Sequence, residues 1–143
     1  MAPSKILVPV DLSPFTEKAI AYAADLVRDR GGSVTVITVI NDVFPYFDFF
    51  PVEYTQPDYF HLMKERAESE LRQLTDRILA GVTHEVVIRR GYPATEIVQA
   101  ASEGQHDLIV MATHGHSGLE HALLGSITEK VLRKAHCPVL VVR

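Results

Sequence analysis

The chain alternates two kinds of segment almost from end to end, and this limits the folds open to it more than any other feature. "KILVPV", Val34 to Ile40, "HEVVIRRG", "DLIVMA" and "CPVLVV" are short β-branched or apolar runs, each read as a strand. Between them lie segments of helical period. Ser13 and Pro14 suit the N-cap and first position of a helix from Pro14 to Arg30, with Ala19, Ala23, Leu26 and Val27 on one stripe and Gly31 and Gly32 closing it. A second, longer helix runs from Asp58 to about Ala80, carries Leu62, Ala67, Leu71, Leu74 and Ile78 along one side, and stops at Gly81. A third begins at Pro93 and ends at Gly104, and in a fourth, "SITEKVLRKA", Ser126 and Glu129 have the S-x-x-E spacing of a capping box.

Strands that are apolar on both sides must be covered on both sides, and right-handed crossovers then lay the helices against the two faces of a parallel sheet. The expected fold is therefore α/β: a doubly wound five-stranded parallel sheet, Rossmann-like, with residues 1–143 as a single domain, and its strand order is taken as 3-2-1-4-5. In that order the winding reverses between strands one and four, and a crevice opens beyond their carboxyl ends. Asp11 and the loop after Ala112 then face the same crevice.

Composition narrows the function classes. A formal charge of −4, from 14 Lys and Arg against 18 Asp and Glu, repels a phosphate backbone and argues against nucleic acid as a partner. The apolar runs fall far short of the roughly 18 residues of a membrane span. A single cysteine, Cys137, and no leader-like start imply a reducing, cytoplasmic address.

The loop "THGHSGLEHALLGS" carries Gly115, Gly118 and Gly125, the last just before the fourth helix. Backbone N–H groups at Ser126 and Ile127, with the helix dipole behind them, can meet a phosphate there. The loop is not a P-loop, since no lysine follows Gly125, and "VDLSPF" lacks the G-x-G-x-x-G of dinucleotide sites. Asp11 either accepts hydrogen bonds from ribose hydroxyls or caps the helix near Ser13. His114, His116 and His121 share a loop with no cysteine nearby and are read as flanking a phosphate site rather than holding zinc. Ser13, Ser117 and Ser126 have no G-x-S-x-G elbow, and Cys137 before Pro138 reads as core rather than nucleophile. The aromatic connection from Asn41 to Pro57, dense between Phe44 and Tyr54, is a lid, a contact between subunits, or cover for the sheet end.

From "KILVPVDLSPFTEKAIAYAADL" through "DLIVMATHGHSGLEHALLGSITEKVLRKAHCPVLVVR", the sequence resembles the universal stress protein family. The ATP-binding branch of that family carries Gly-x2-Gly-x9-Gly followed by Ser or Thr. Here the frame is Ala112, Thr113, His114, Gly115, nine residues, then Gly125 and Ser126, with Ala112 departing from the first glycine. The resemblance implies a nucleotide site. Pro9, Val10 and Asp11 lie on its adenine and ribose side and Val39 at the base, with Met111, Ala112, His114, Gly115, His116, Gly125, Ser126 and Ile127 completing it around the phosphates. It further implies ATP, with Mg2+, as cofactor, a homodimer through the strand Pro138 to Val142, and a stress-response role exerted on a protein partner the sequence does not name. The expected function is an ATP-binding regulatory module rather than an enzyme. The alternatives are a slow ATPase or nucleotidyl transferase, and a nucleotide-free dimeric interaction protein.

Overall fold

The pleat of a strand sends successive side chains to opposite faces, and the apolar runs of this chain use both. The computed structural model describes residues 2–41, 57–113 and 124–143. Strands β1 (Lys5–Pro9), β2 (Ser33–Asn41), β3 (Thr83–Gly91), β4 (Leu108–Ala112) and β5 (Val139–Val142) form one sheet in the order β3-β2-β1-β4-β5, with every neighbouring pair parallel. The connecting helices are α1 (Thr16–Val27), α2 (Pro57–Ile78), α3 (Pro93–Glu103) and α4 (Ser126–Lys134). Ile6 and Val8 of β1 and Val34 and Val36 of β2 form one core with Ala19, Ile20, Ala23, Ala24 and Val27 of α1 and Leu71 of α2. Leu7, Ile37, Ile109 and Met111 point the other way and pack with Ala94, Ile97, Ala100 and Ala101 of α3 and Val131 of α4. The two-faced winding is as the alternation predicts, and the sheet has the order taken for it.

Three local expectations change. Helix α1 begins at Thr16 with Phe15 as its N-cap residue; Ser13 lies one turn earlier, its hydroxyl accepting the Phe15 N–H at 3.3 Å. Leu62 is 64% exposed, because the buried stripe of α2 runs through Ala67, Leu71 and Thr75, about 180° away from it around the helix. The capping box does not form. Gly125 is the N-cap of α4, Ser126 is its first residue, and Glu129 pairs instead with Arg133 at 2.6 Å.

Helix ends and strand starts are tied by polar contacts. The Arg28 guanidinium donates to the carbonyls of Ile78 and Ala80 at the end of α2, and Arg77 of α2 pairs with Glu17 of α1. Asp107 accepts the N–H groups of Ser4 and Lys5, fixing the start of β4 to that of β1. The half-buried Cys137 packs against the second core, and burial pushes its thiol pKa up, which suits a core residue and not a thiolate nucleophile. Among the described residues no helix is long and apolar enough to cross a membrane. The aromatic connection lies outside them, apart from its ends Asn41 and Pro57 in β2 and α2.

His106, 9% exposed, stands at the other end of the sheet from the carboxyl ends of the strands. The Thr35 hydroxyl donates to Glu85 at 3.2 Å, so the His106 Nε2, 3.0 Å from that hydroxyl, carries the hydrogen of its own bond. Burial, and then the nearby Lys5 charge, hold the His106 pKa below the usual histidine value. The neutral ring is thus the folded form, and its contribution is complete above the unfolded pKa of about 6.5 and is lost as pH falls from there through the folded value. Urea titrations at a series of pH values are expected to show stability declining below pH ~6.5, with the decline reduced in His106→Gln. An unchanged decline in that variant would assign it to other groups.

Candidate functional site

Because β1 leads to a helix on one face and β4 to a helix on the other, no described helix covers the sheet between their carboxyl ends. A cavity of ≈ 580 Å³ opens there. That is within the range of small-molecule sites, roughly 300–1,000 Å³. Pro9, Val10, Asp11, Val39, Met111, Ala112, Gly125, Ser126 and Ile127, all named from the sequence, line it. His114, Gly115 and His116 lie outside the described residues, as does His121.

The walls are built from short polar links. At the end of β1, the Val10 N–H donates to the Ile37 carbonyl at 2.8 Å, and the Thr38 hydroxyl donates to the Val10 carbonyl at 2.8 Å. The next turn is tight: Asp11 Oδ1 accepts the Ser13 N–H at 3.0 Å, and Leu12 between them has φ 62°, the left-handed region that a branched side chain seldom occupies. Asp11 thus lines the crevice and makes a local turn contact, but it does not cap α1, whose N-cap residue is Phe15 and which has no side-chain cap.

Across the cavity, the two ends of the glycine loop are clamped together. The Thr113 N–H donates to the Val142 carbonyl at 2.9 Å, the Gly125 N–H to the Thr113 carbonyl at 3.2 Å, and the Thr128 hydroxyl to the Ala112 carbonyl at 3.2 Å. Helix α4 starts at the cavity wall, and the N–H groups of its first turn have no acceptor within the helix. Ala112 belongs to β4, and the non-glycine residues of positive φ among those described are Leu12 and Gln105, so its methyl group brings no backbone strain.

Asp11 is the only ionisable side chain among the described lining residues. An anion here would be held by N–H groups, hydroxyls and the α4 dipole, with neither lysine nor arginine contributed by those residues. No group of three His, Cys, Asp or Glu side chains that could hold a metal ion occurs among the described residues. Sequence reasoning missed other lining residues. Thr16, Thr38, Thr113 and Thr128 are buried there, and Met63 and Ala67 reach it from α2. Of these, Thr113 and Thr128 were within reach of the sequence, since they flank the glycine frame; Met63 and Ala67 depend on how α2 docks.

Fold and cavity together define a doubly wound α/β protein with a ligand-sized crevice at its switch point. The universal stress protein family profile matches residues 3–143. Universal stress protein MJ0531 of Methanocaldococcus jannaschii is 37% identical over 97% of this chain and 81% of its own. The solved structure of MJ0577 from the same organism matches with a TM-score of 0.87 at 29% identity, covering 99% of this chain and 96% of that one. A universal stress protein from Archaeoglobus fulgidus, solved in complex with dAMP, matches in fold with a TM-score of 0.65 at 24% identity over 100% of both chains. The chain belongs to the universal stress protein family.

Proposed function

We propose that the chain is an ATP-binding regulatory module, which holds the nucleotide, with Mg2+, in the crevice between β1 and β4 and changes with occupancy what a protein partner meets. The observation that carries this reading is the start of α4 at the cavity wall: a glycine N-cap without a side chain, directly followed by N–H groups that have no acceptor within the helix, stands at a crevice that also holds Asp11. On this reading Pro9, Val10 and Val39 contact the base, Asp11 the ribose, and Met111, Ala112, Gly125, Ser126 and Ile127, with His114, Gly115 and His116, the phosphate side. The relative solved with dAMP supports a nucleotide as the ligand class. The ordinary backbone of Ala112 supports membership of the nucleotide-binding branch despite the missing glycine. On this reading binding rather than turnover is the output.

The parallel sheet ends at β5, an edge strand whose Val139, Leu140 and Val141 are half-buried, and pairing of Pro138 to Val142 with a second copy would cover it. A reducing, cytoplasmic setting accords with the unpaired Cys137.

Calorimetric titration with ATP and Mg2+, after mass spectrometry has checked the purified protein for carried nucleotide, is the direct test. Saturable binding is expected, weakened at least about tenfold in Asp11→Ala through loss of charge-assisted ribose contacts, with the protein sedimenting as a dimer. No binding and no carried nucleotide would overturn the reading.

A further inference from the structure

Buried hydroxyl groups are rarely left without a partner, because each one removed from water without a replacement hydrogen bond costs free energy. Among the described residues this protein follows that rule except in the wall of the crevice. Away from it, Thr35 donates to Glu85 and Thr75 to the Arg72 carbonyl. Within it, Ser13 accepts the Phe15 N–H, Thr38 donates to Val10, and Thr128 donates to Ala112. The exceptions are Thr16 Oγ1 and Thr113 Oγ1, which have no partner among the described residues, and both residues line the cavity. Thr113 adjoins the undescribed part of the loop. Thr16 is 3% exposed, and its position as the first residue of α1 brings a second helix N-terminus, of a twelve-residue helix, to the same crevice.

We infer that Thr16 is a ligand-contacting residue outside the glycine frame, whose hydroxyl donates a hydrogen bond to an oxygen of the sugar–phosphate moiety of the bound nucleotide. The inference rests on the proposed nucleotide site and adds to it a contact from the opposite wall. Three features support that chemistry. A hydroxyl at a helix start is a donor set against the positive end of a helix dipole, which favours an oxygen carrying negative charge. The described lining residues include no lysine or arginine, so neutral donors must do the work of charge balance. Thr16 also follows the Asp11–Ser13 turn by three residues, on the side of the crevice where the ribose is placed.

Replacing Thr16 by valine keeps its shape and removes only the hydroxyl, so binding and stability should move in opposite directions. Calorimetric titration of wild type, Thr16→Val and Thr16→Ser with ATP, AMP and adenosine, beside thermal melts without ligand, tests this. Thr16→Val is expected to weaken ATP binding about tenfold, the effect of losing one hydrogen bond to a charged group. Its melting temperature without ligand should be no lower than that of wild type, because Thr16 Oγ1 has no hydrogen-bond partner among the described residues. Thr16→Ser, which keeps the hydroxyl, should bind within about threefold of wild type, well inside that loss. A loss seen with ATP and AMP alone places the contact on a phosphoryl oxygen; an equal loss with adenosine places it on the sugar. If wild type binds and Thr16→Val binds all three ligands as tightly, the inference is overturned while the nucleotide site stands. If wild type binds none of them, both fall together.

Discussion

Gly125→Val is expected to lower ATP affinity by about 100-fold or more, while the protein remains folded. The affinity loss follows from the site: a side chain at the N-cap of α4 stands between the ligand and the first-turn N–H groups, and each charge-assisted hydrogen bond displaced is worth about 1.5–3 kcal/mol. The stability side follows from local geometry. Gly125 has φ −58°, open to any residue, and an added Cβ would lie 3.5 Å from the Thr113 carbonyl oxygen and 4.0 Å from Thr128 Oγ1, ordinary contact distances. The remaining cost is the poorer capping by valine, about 1 kcal/mol. Calorimetry together with urea denaturation separates the two effects. A variant that binds ATP as wild type does would remove α4 from the phosphate site; a variant that fails to fold would show that Gly125 serves the loop clamp and not the ligand.

Leu71→Ala is expected to be the most destabilising single truncation in α2, costing about 2–5 kcal/mol in urea denaturation. Leu71 is 0% exposed and belongs to the core that α1 and α2 share with Ile6, Val8, Val34 and Val36. Its removal leaves a cavity that the helix can close only by shifting along its length. Ala67, one turn earlier, lines the crevice with Met63, so loss of this anchor should weaken nucleotide binding too, although Leu71 itself does not line the cavity. Leu71→Met, which conserves volume, is expected to lose less than about 1.5 kcal/mol. A cost below about 1 kcal/mol for the alanine variant would mean that α2 is held by its polar contacts, such as Arg28 at its carboxyl end, rather than by this core.

Much of the architecture was legible before any coordinates. Period-two and helical runs are local signals, and Pro93 and Gly81 act through their own backbone preferences, so α3 begins and α2 ends where they stand. The errors are equally physical. Ser126 and Glu129 have the spacing of a capping box, but Gly125 takes the cap position because its N–H is held by the Thr113 carbonyl, a contact between residues twelve apart in the chain. Leu62 has the composition of a core residue, but α2 meets the sheet through the stripe containing Ala67 and Leu71, and only that docking leaves Leu62 at 64% exposure. Gly32, grouped with Gly31 as a helix stop, has a different reason: a Cβ there would lie 2.7 Å from the Val27 side chain and 2.8 Å from the Ser4 carbonyl oxygen.

By itself, then, the sequence determined the number and kind of elements, their alternation, and the covering of both faces of the sheet. Those follow from local backbone preference, from the need to cover both faces of apolar strands, and from the handedness of crossovers. Only the tertiary structure decided which hydroxyls in the crevice wall have partners, how Asp11 shares its carboxylate with the Ser13 N–H, and that His106 lies buried against Thr35. Whether a buried polar group is satisfied depends on atoms that different elements bring together, and no pattern along one chain segment encodes that sum.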